Sequence, residues 1–142
     1  MKKLILIMLG LIFITSCKET KESNMTENKP QAPFVWEGAN LYFLMTDRFN
    51  NGDPSNDKNF ERTNDAAKLR GFEGGDIEGI TQKIQEGYFS DLGVNAIWLT
   101  PIVEQIHAAT DEGTGLSYGF HGYWAKDWTS LDPNFGTKED LK

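Results

Sequence analysis

After residue 40 the apolar positions form two short runs and one periodic stretch. Leu41–Thr46 is apolar and partly aromatic up to Thr46, the pattern of a strand buried on both faces. Ile77, Ile80, Ile84, Tyr88 and Leu92 recur at steps of three and four, which predicts one amphipathic helix over 77–92. Asp76 stands at its N-cap position and Gly93 at its stop, while Gly79 and Gly87 weaken it locally. Val94–Leu99 reads as a second short buried strand, ended by Pro101. Strand, crossover helix and strand in that order predict a β-α-β unit with parallel strands.

The remaining segments are more polar. Phe34–Trp36 is an apolar lead-in, and Asp47-Arg48-Phe49 closes the first strand. Lys58–Phe72 is highly charged and poor in apolar residues, so an exposed excursion is expected. Gly74-Gly75-Asp76 is a tight turn; it lacks both glycine-rich phosphate-loop patterns. After Pro101 a long loop is expected, with Asp111–Gly119 polar and without period. An aromatic cluster, Phe120–Trp128, follows it. Asp132–Gly136 is a turn, and Thr137 with Asp140 forms a capping box that predicts a helix start just before Lys142. A helix that opens without a body points to the N-terminal fragment of something longer.

Before residue 34 the chain has a different character. Lys2 and Lys3 precede an eleven-residue apolar run, Leu4–Ile14, interrupted only by Gly10. A bilayer takes about 20 apolar residues, so this run suits a secretory signal rather than a membrane span. Ile14-Thr15-Ser16-Cys17 resembles a lipobox, which predicts cleavage before Cys17 and lipidation of its thiol. An ordinary signal peptide that carries a cysteine is the plainer alternative. Residues 18–33 read as a polar, disordered tether, leaving 34–142 as the folded part. An exported lipoprotein anchored to a membrane is expected, at the outer membrane or cell surface of a Gram-negative bacterium. Cys17 is the only cysteine, so no disulfide forms within one chain.

The 142 residues carry a formal net charge of −7, which makes nucleic acid an unsuitable partner. Neutral ligands and cations suit such a surface better. One loop concentrates oxygen donors: Asn50, Asn51, Asp53, Asn56 and Asp57 lie together, with Gly52 and Pro54 to bend the chain. Calcium takes six to eight oxygen ligands of these types. A surface turn rich in Asn, Asp and Gly is the bland alternative. Tyr123, Trp124 and Trp128 likewise suit either a core or a platform for sugar rings. His107 and His121 lack the further ligands that a transition-metal site needs.

Four segments, in order, resemble the α-amylase family of glycoside hydrolases, in its bacterial amylase and cyclodextrin-glucanotransferase branch. They are Tyr42–Asp57, Gly74-Gly75-Asp76, Gly93–Pro101 and Phe120–Trp124. The resemblance implies an α/β fold, the N-terminal part of a (β/α)8 barrel, with the loop after Pro101 on the face where barrel active sites are built. It implies Ca2+ held by oxygens of Asn51, Asp53, Asn56 and Asp57, the Gly74 carbonyl and Asp76. The position of Asn51 is Asp in many relatives, and Asp53 and Asp57 stand where relatives have Asn. It implies that Tyr123 stacks on a glucose ring beside the scissile bond, with His121 and Trp124 lining the neighbouring subsite. The family's catalytic acids come from later strands, so none is assigned here, and the 142 residues alone are expected to be inactive. The expected partner is an α-1,4-glucan such as starch or maltodextrin, cleaved with retention. A surface glycan-binding lipoprotein without hydrolysis and an inactive truncated product are the competing readings.

Overall fold

The computed structural model describes residues 33–62 and 65–142. Cys17 and the leader, with nearly all of the tether, lie outside the described residues. Strand β1 (Leu41–Leu44) and strand β2 (Ala96–Leu99) pair in parallel, with Leu41 opposite Ala96 and Leu44 opposite Leu99. Between them run helix α1 (Thr46–Phe49), helix α2 (Ile77–Gln85) and helix α3 (Tyr88–Asp91). The expected parallel β-α-β unit is therefore present.

Its core is the contact of Leu44, Ile80 and Phe89, joined by Tyr42, Phe49, Val94, Ile97 and Leu99. Phe49 stacks on Phe89 at 5.6 Å, and Tyr42 meets Phe89 edge-on at 5.3 Å. Asp76 caps α2 by accepting from the Gly79 N–H at 2.7 Å, and Ile77 and Ile80 turn inward.

Several expectations are corrected. β1 stops at Leu44, and Thr46–Phe49 forms a helical turn rather than the end of a strand. The strand is not buried on both faces: Leu41 and Phe43 share one face and are about half exposed, while Tyr42 and Leu44 on the other face pack against Ile80 and Phe89. Phe43 packs edge-on against Trp98 at 5.6 Å, itself well exposed. The single helix over 77–92 is two. Gly87 adopts φ of +84°, a left-handed conformation that ends α2, and α3 restarts at Tyr88.

The long loop after Pro101 contains short strands. Strand β3 (Val103–Gln105) pairs antiparallel with strand β6 (Ala125–Leu131), and strand β4 (Thr110–Asp111) forms a small ladder with strand β5 (Leu116–Ser117). These strands are too short and irregular for a period to show in sequence. At the C-terminal end, Thr137 N–H donates to Asp140 Oδ2 at 2.6 Å and Asp140 N–H reaches Thr137 Oγ1 at 3.4 Å. The capping bonds form, yet the segment is a turn and not a helix.

The charged excursion is also not wholly exposed. Arg62 is 6% exposed and anchors the segment to the end of β6. Its guanidinium clasps Asp132 with two bonds, 2.8 Å to Oδ1 and 2.7 Å to Oδ2, and donates to Asn134 Oδ1 and the Gln105 carbonyl. Sequence offered no sign of this, since the partners are 70 and 72 residues apart.

Candidate functional site

Two clusters lie beyond the C-terminal ends of β1 and β2. The strand ends are tied by the Thr46 N–H to Thr100 Oγ1 at 3.2 Å and the Thr100 N–H to the Leu44 carbonyl at 3.0 Å.

The first cluster is aromatic. Gly122 has φ of +87°, and a Cβ there would collide with the Pro101 carbonyl oxygen. Glycine thus lets the 119–124 turn sit directly on the end of β2. The turn is closed by Gly122 N–H to the Gly119 carbonyl at 2.9 Å. Gln105, fully buried, accepts from the Trp124 N–H at 2.8 Å, and the Trp124 carbonyl accepts from Ile106 N–H at 2.9 Å. These bonds bring together the three residues singled out in sequence. The His121 and Tyr123 rings lie near-parallel with centroids 5.9 Å apart, and Trp124 stands edge-on to His121 at 4.8 Å. Tyr123 is 58% exposed, which removes the core-aromatic reading for it; Trp128 is 72% exposed and leaves the core too.

His121 Nδ1 accepts the Tyr123 N–H at 3.0 Å, which places the proton of the neutral ring on Nε2. Burial holds the His121 pKa below the usual histidine range, with the Glu112 charge pulling weakly the other way. Arg48, which the sequence reading passed over, lies 4.0 Å above the Phe120 ring and donates to the Leu69 and Gly71 carbonyls. It ties the 69–71 segment to the aromatic turn.

The second cluster is the oxygen-rich loop. Asp76 is its hub. Its Oδ1 accepts from the Gly52 and Gly79 N–H groups, and its Oδ2 accepts from Asp53 N–H and Asn56 Nδ2. Four donors fill the carboxylate, so a metal contact from Asp76 competes with these bonds. Asn51 Nδ2 donates to Asp57 Oδ1 at 2.8 Å, and a Cβ on Gly74 would strike both groups, so these three residues converge. Gly74 itself has φ of +97°. Asn56 Oδ1 is buried without a hydrogen-bond partner among the described residues. Asp53 accepts from the Ser55 N–H at 3.0 Å, and its bonds to Ser55 hold its pKa low.

Among the described residues no three His, Cys, Asp or Glu side chains gather at one point. A cation here would need amide and backbone oxygens beside the Asp57 carboxylate, a mixed donor set that calcium accepts. The orphaned Asn56 oxygen and the convergence of Asn51, Asp57 and Gly74 fit such an ion. Just beneath, buried Asp47 accepts from the Glu73 N–H at 3.0 Å. Burial raises its pKa to about 6 despite Arg48 beside it.

The acids near the aromatic turn are engaged. Asp132 is clasped by Arg62, Asp127 accepts from Thr129 and Ser130, Glu112 from Ser117 Oγ, and Asp111 from Gly113 N–H. None stands as a free general acid or base.

Comparison with known proteins agrees with this geometry. The family model described as alpha amylase, catalytic domain, matches residues 43–142. The chain is 46% identical over 120 residues to the periplasmic alpha-amylase of Escherichia coli strain K12, covering 82% of this chain and 18% of that protein. It is 39% identical to the cyclomaltodextrin glucanotransferase of Klebsiella oxytoca, over 72% of this chain and 15% of the relative. Among solved structures, a cyclomaltodextrin glucanotransferase with a three-domain ABC distribution matches with a TM-score of 0.63 at 38% identity, over 71% of this chain and 21% of that one. An alpha-amylase from Geobacillus thermoleovorans, complexed with acarbose, matches with a TM-score of 0.54 at 37% identity, over 77% and 20%. The chain thus spans under a fifth of the length of these curated relatives.

Proposed function

The chain belongs to the α-amylase family of glycoside hydrolases, in the branch of amylases and cyclodextrin glucanotransferases, and on that premise we propose that it supplies sugar-binding and metal-binding parts of an enzyme acting on α-1,4-glucans. The supporting observation is the turn 119–124. It seats an exposed Tyr123, flanked by His121 and Trp124, at the C-terminal end of a parallel strand pair. That is the end at which barrel enzymes bind substrate.

In this reading the Tyr123 ring takes the apolar C–H face of a glucose unit. His121, neutral through burial, keeps its Nε2 proton for a sugar hydroxyl. Retaining hydrolysis needs a nucleophile and an acid/base roughly 5 Å apart. The described acids near the turn are already engaged, so that pair would come from other residues of the barrel, of which β1, α2 and β2 form the first part. Calcium at Asn51, Asp53, Asn56, Asp57 and the Gly74 carbonyl, with Asp76 as hub, would pin the loop after β1 to the start of α2. The ion would supply charge and rigidity. Export agrees with the relative named periplasmic, and anchoring through a lipid on Cys17 is part of the same proposal.

A second reading is a surface module that captures glucans without cleaving them; the exposed aromatic turn would serve it equally. Release of reducing sugar from soluble starch, with and without a chelator, separates the two. Hydrolysis by the full-length gene product, lost in Tyr123→Ala, with a thermal midpoint lowered by chelation, is the expected result. The 142-residue chain alone is expected to release none. Unchanged starch binding and turnover in Tyr123→Ala would overturn the assignment of the turn, and an unmoved midpoint would remove the metal.

A further inference from the structure

β6 is heavily bulged. Val103 pairs with Leu131 and the next residue, Glu104, with Asp127, so Trp128, Thr129 and Ser130 have no partner on β3. A bulge re-aims side chains away from the regular pleat. This one is braced from within. The Asp127 carboxylate accepts from Thr129 N–H and Thr129 Oγ1, both at 2.7 Å, and from Ser130 Oγ at 3.1 Å. These bonds hold its pKa below the usual carboxylate range. The outcome is a tryptophan 72% exposed on a fixed backbone.

Trp128 does not stand alone. It walls one open groove of about 450 Å³ with Tyr123, Trp124, Ala125, Ile106 and Thr110. The groove therefore continues from the Tyr123 ring. Among the described residues no charged side chain lines it, although the chain carries a net −7. An uncharged wall of two indoles and a phenol, with one hydroxyl from Thr110, suits a neutral polyhydroxyl ligand rather than an ion or an acidic peptide.

From this geometry we infer that Trp128 is a second stacking platform, taking a glucose unit further along the α-glucan than the one at Tyr123. It thereby determines preference for longer chains. The inference rests on Tyr123 being a sugar site. The bulge frees Trp128 from pairing with β3 where β6 borders the groove.

The test is equilibrium binding of non-hydrolysable, thio-linked analogues of maltotriose and maltoheptaose to the full-length gene product, by tryptophan fluorescence and calorimetry. Wild type, Trp128→Ala, Trp128→Phe and Tyr123→Ala are compared. The expected result is that Trp128→Ala weakens the maltoheptaose analogue about tenfold more than the maltotriose analogue, equivalent to ~1.4 kcal/mol. Trp128→Phe recovers most of that difference, because a flat ring is retained. If Tyr123→Ala weakens both sugars while Trp128→Ala shifts them equally or not at all, the second platform is overturned and the Tyr123 site stands. If neither sugar binds wild type, both are overturned.

Discussion

Arg62→Met tests the internal bracing most directly. The guanidinium makes two bonds to Asp132 of 2.8 and 2.7 Å, one to Asn134 Oδ1 of 2.8 Å and one to the Gln105 carbonyl of 3.0 Å. It also lies 4.6 Å from the Phe72 ring centroid. Its side chain is 2% exposed and that of Asp132 is fully buried. Methionine conserves much of the stem and removes the charge, leaving the Asp132 carboxylate buried with only the N–H donors of Gln105 and Asn134. Breaking one side of a buried pair costs about 3–5 kcal/mol, a large share of the ~5–15 kcal/mol that holds a domain together. Asp132→Asn alone should cost a similar amount, since it strands the guanidinium. The double variant restores charge neutrality, so the two losses should fall short of additive by about 2–3 kcal/mol. Urea unfolding followed by tryptophan fluorescence, with a common slope for all four proteins, gives the cycle. A loss below about 1 kcal/mol for Arg62→Met, or simple additivity of the two changes, would refute the view that this pair holds the excursion onto β6.

Two further outcomes follow from the aromatic turn. Gly122→Ala forces a positive φ on alanine and drives its methyl into the Pro101 carbonyl; strain and overpacking together should cost about 2–5 kcal/mol and displace Tyr123, and unchanged stability with unchanged maltodextrin binding would contradict the seating described. His121 has a folded-state pKa below its unfolded value of about 6.5. Its contribution to stability is thus fully present above about pH 6.5 and is lost as pH falls through the folded value. Wild type should lose more stability below pH 6.5 than His121→Gln does, and parallel pH profiles for the two would sink that expectation.

The sequence alone disclosed what local pattern and motif carry. The apolar runs at Leu41 and Val94, with the three-and-four spacing from Ile77, marked the parallel strand–helix–strand unit, and Asp76 was legible as a cap. Four motifs in order identified the family, and with it the segments to inspect. Tertiary structure decided the rest. Gly87 splits the helix because its left-handed backbone wins over a periodic apolar face that runs on through it. β3 to β6 carry no period because bulges and three-residue pairings leave too few positions to repeat. Arg62 reads as a surface charge in a polar stretch, and only pairing with Asp132, 70 residues away, makes burial tolerable. Asp76 likewise was readable as a cap, but its four donors converge only once the loop at Gly52–Asn56 folds onto α2. Composition cannot tell a core tryptophan from one held out to solvent. Trp128 is exposed where β6 bulges, and that register is set by pairing with β3, earlier in the chain, rather than by side-chain pattern.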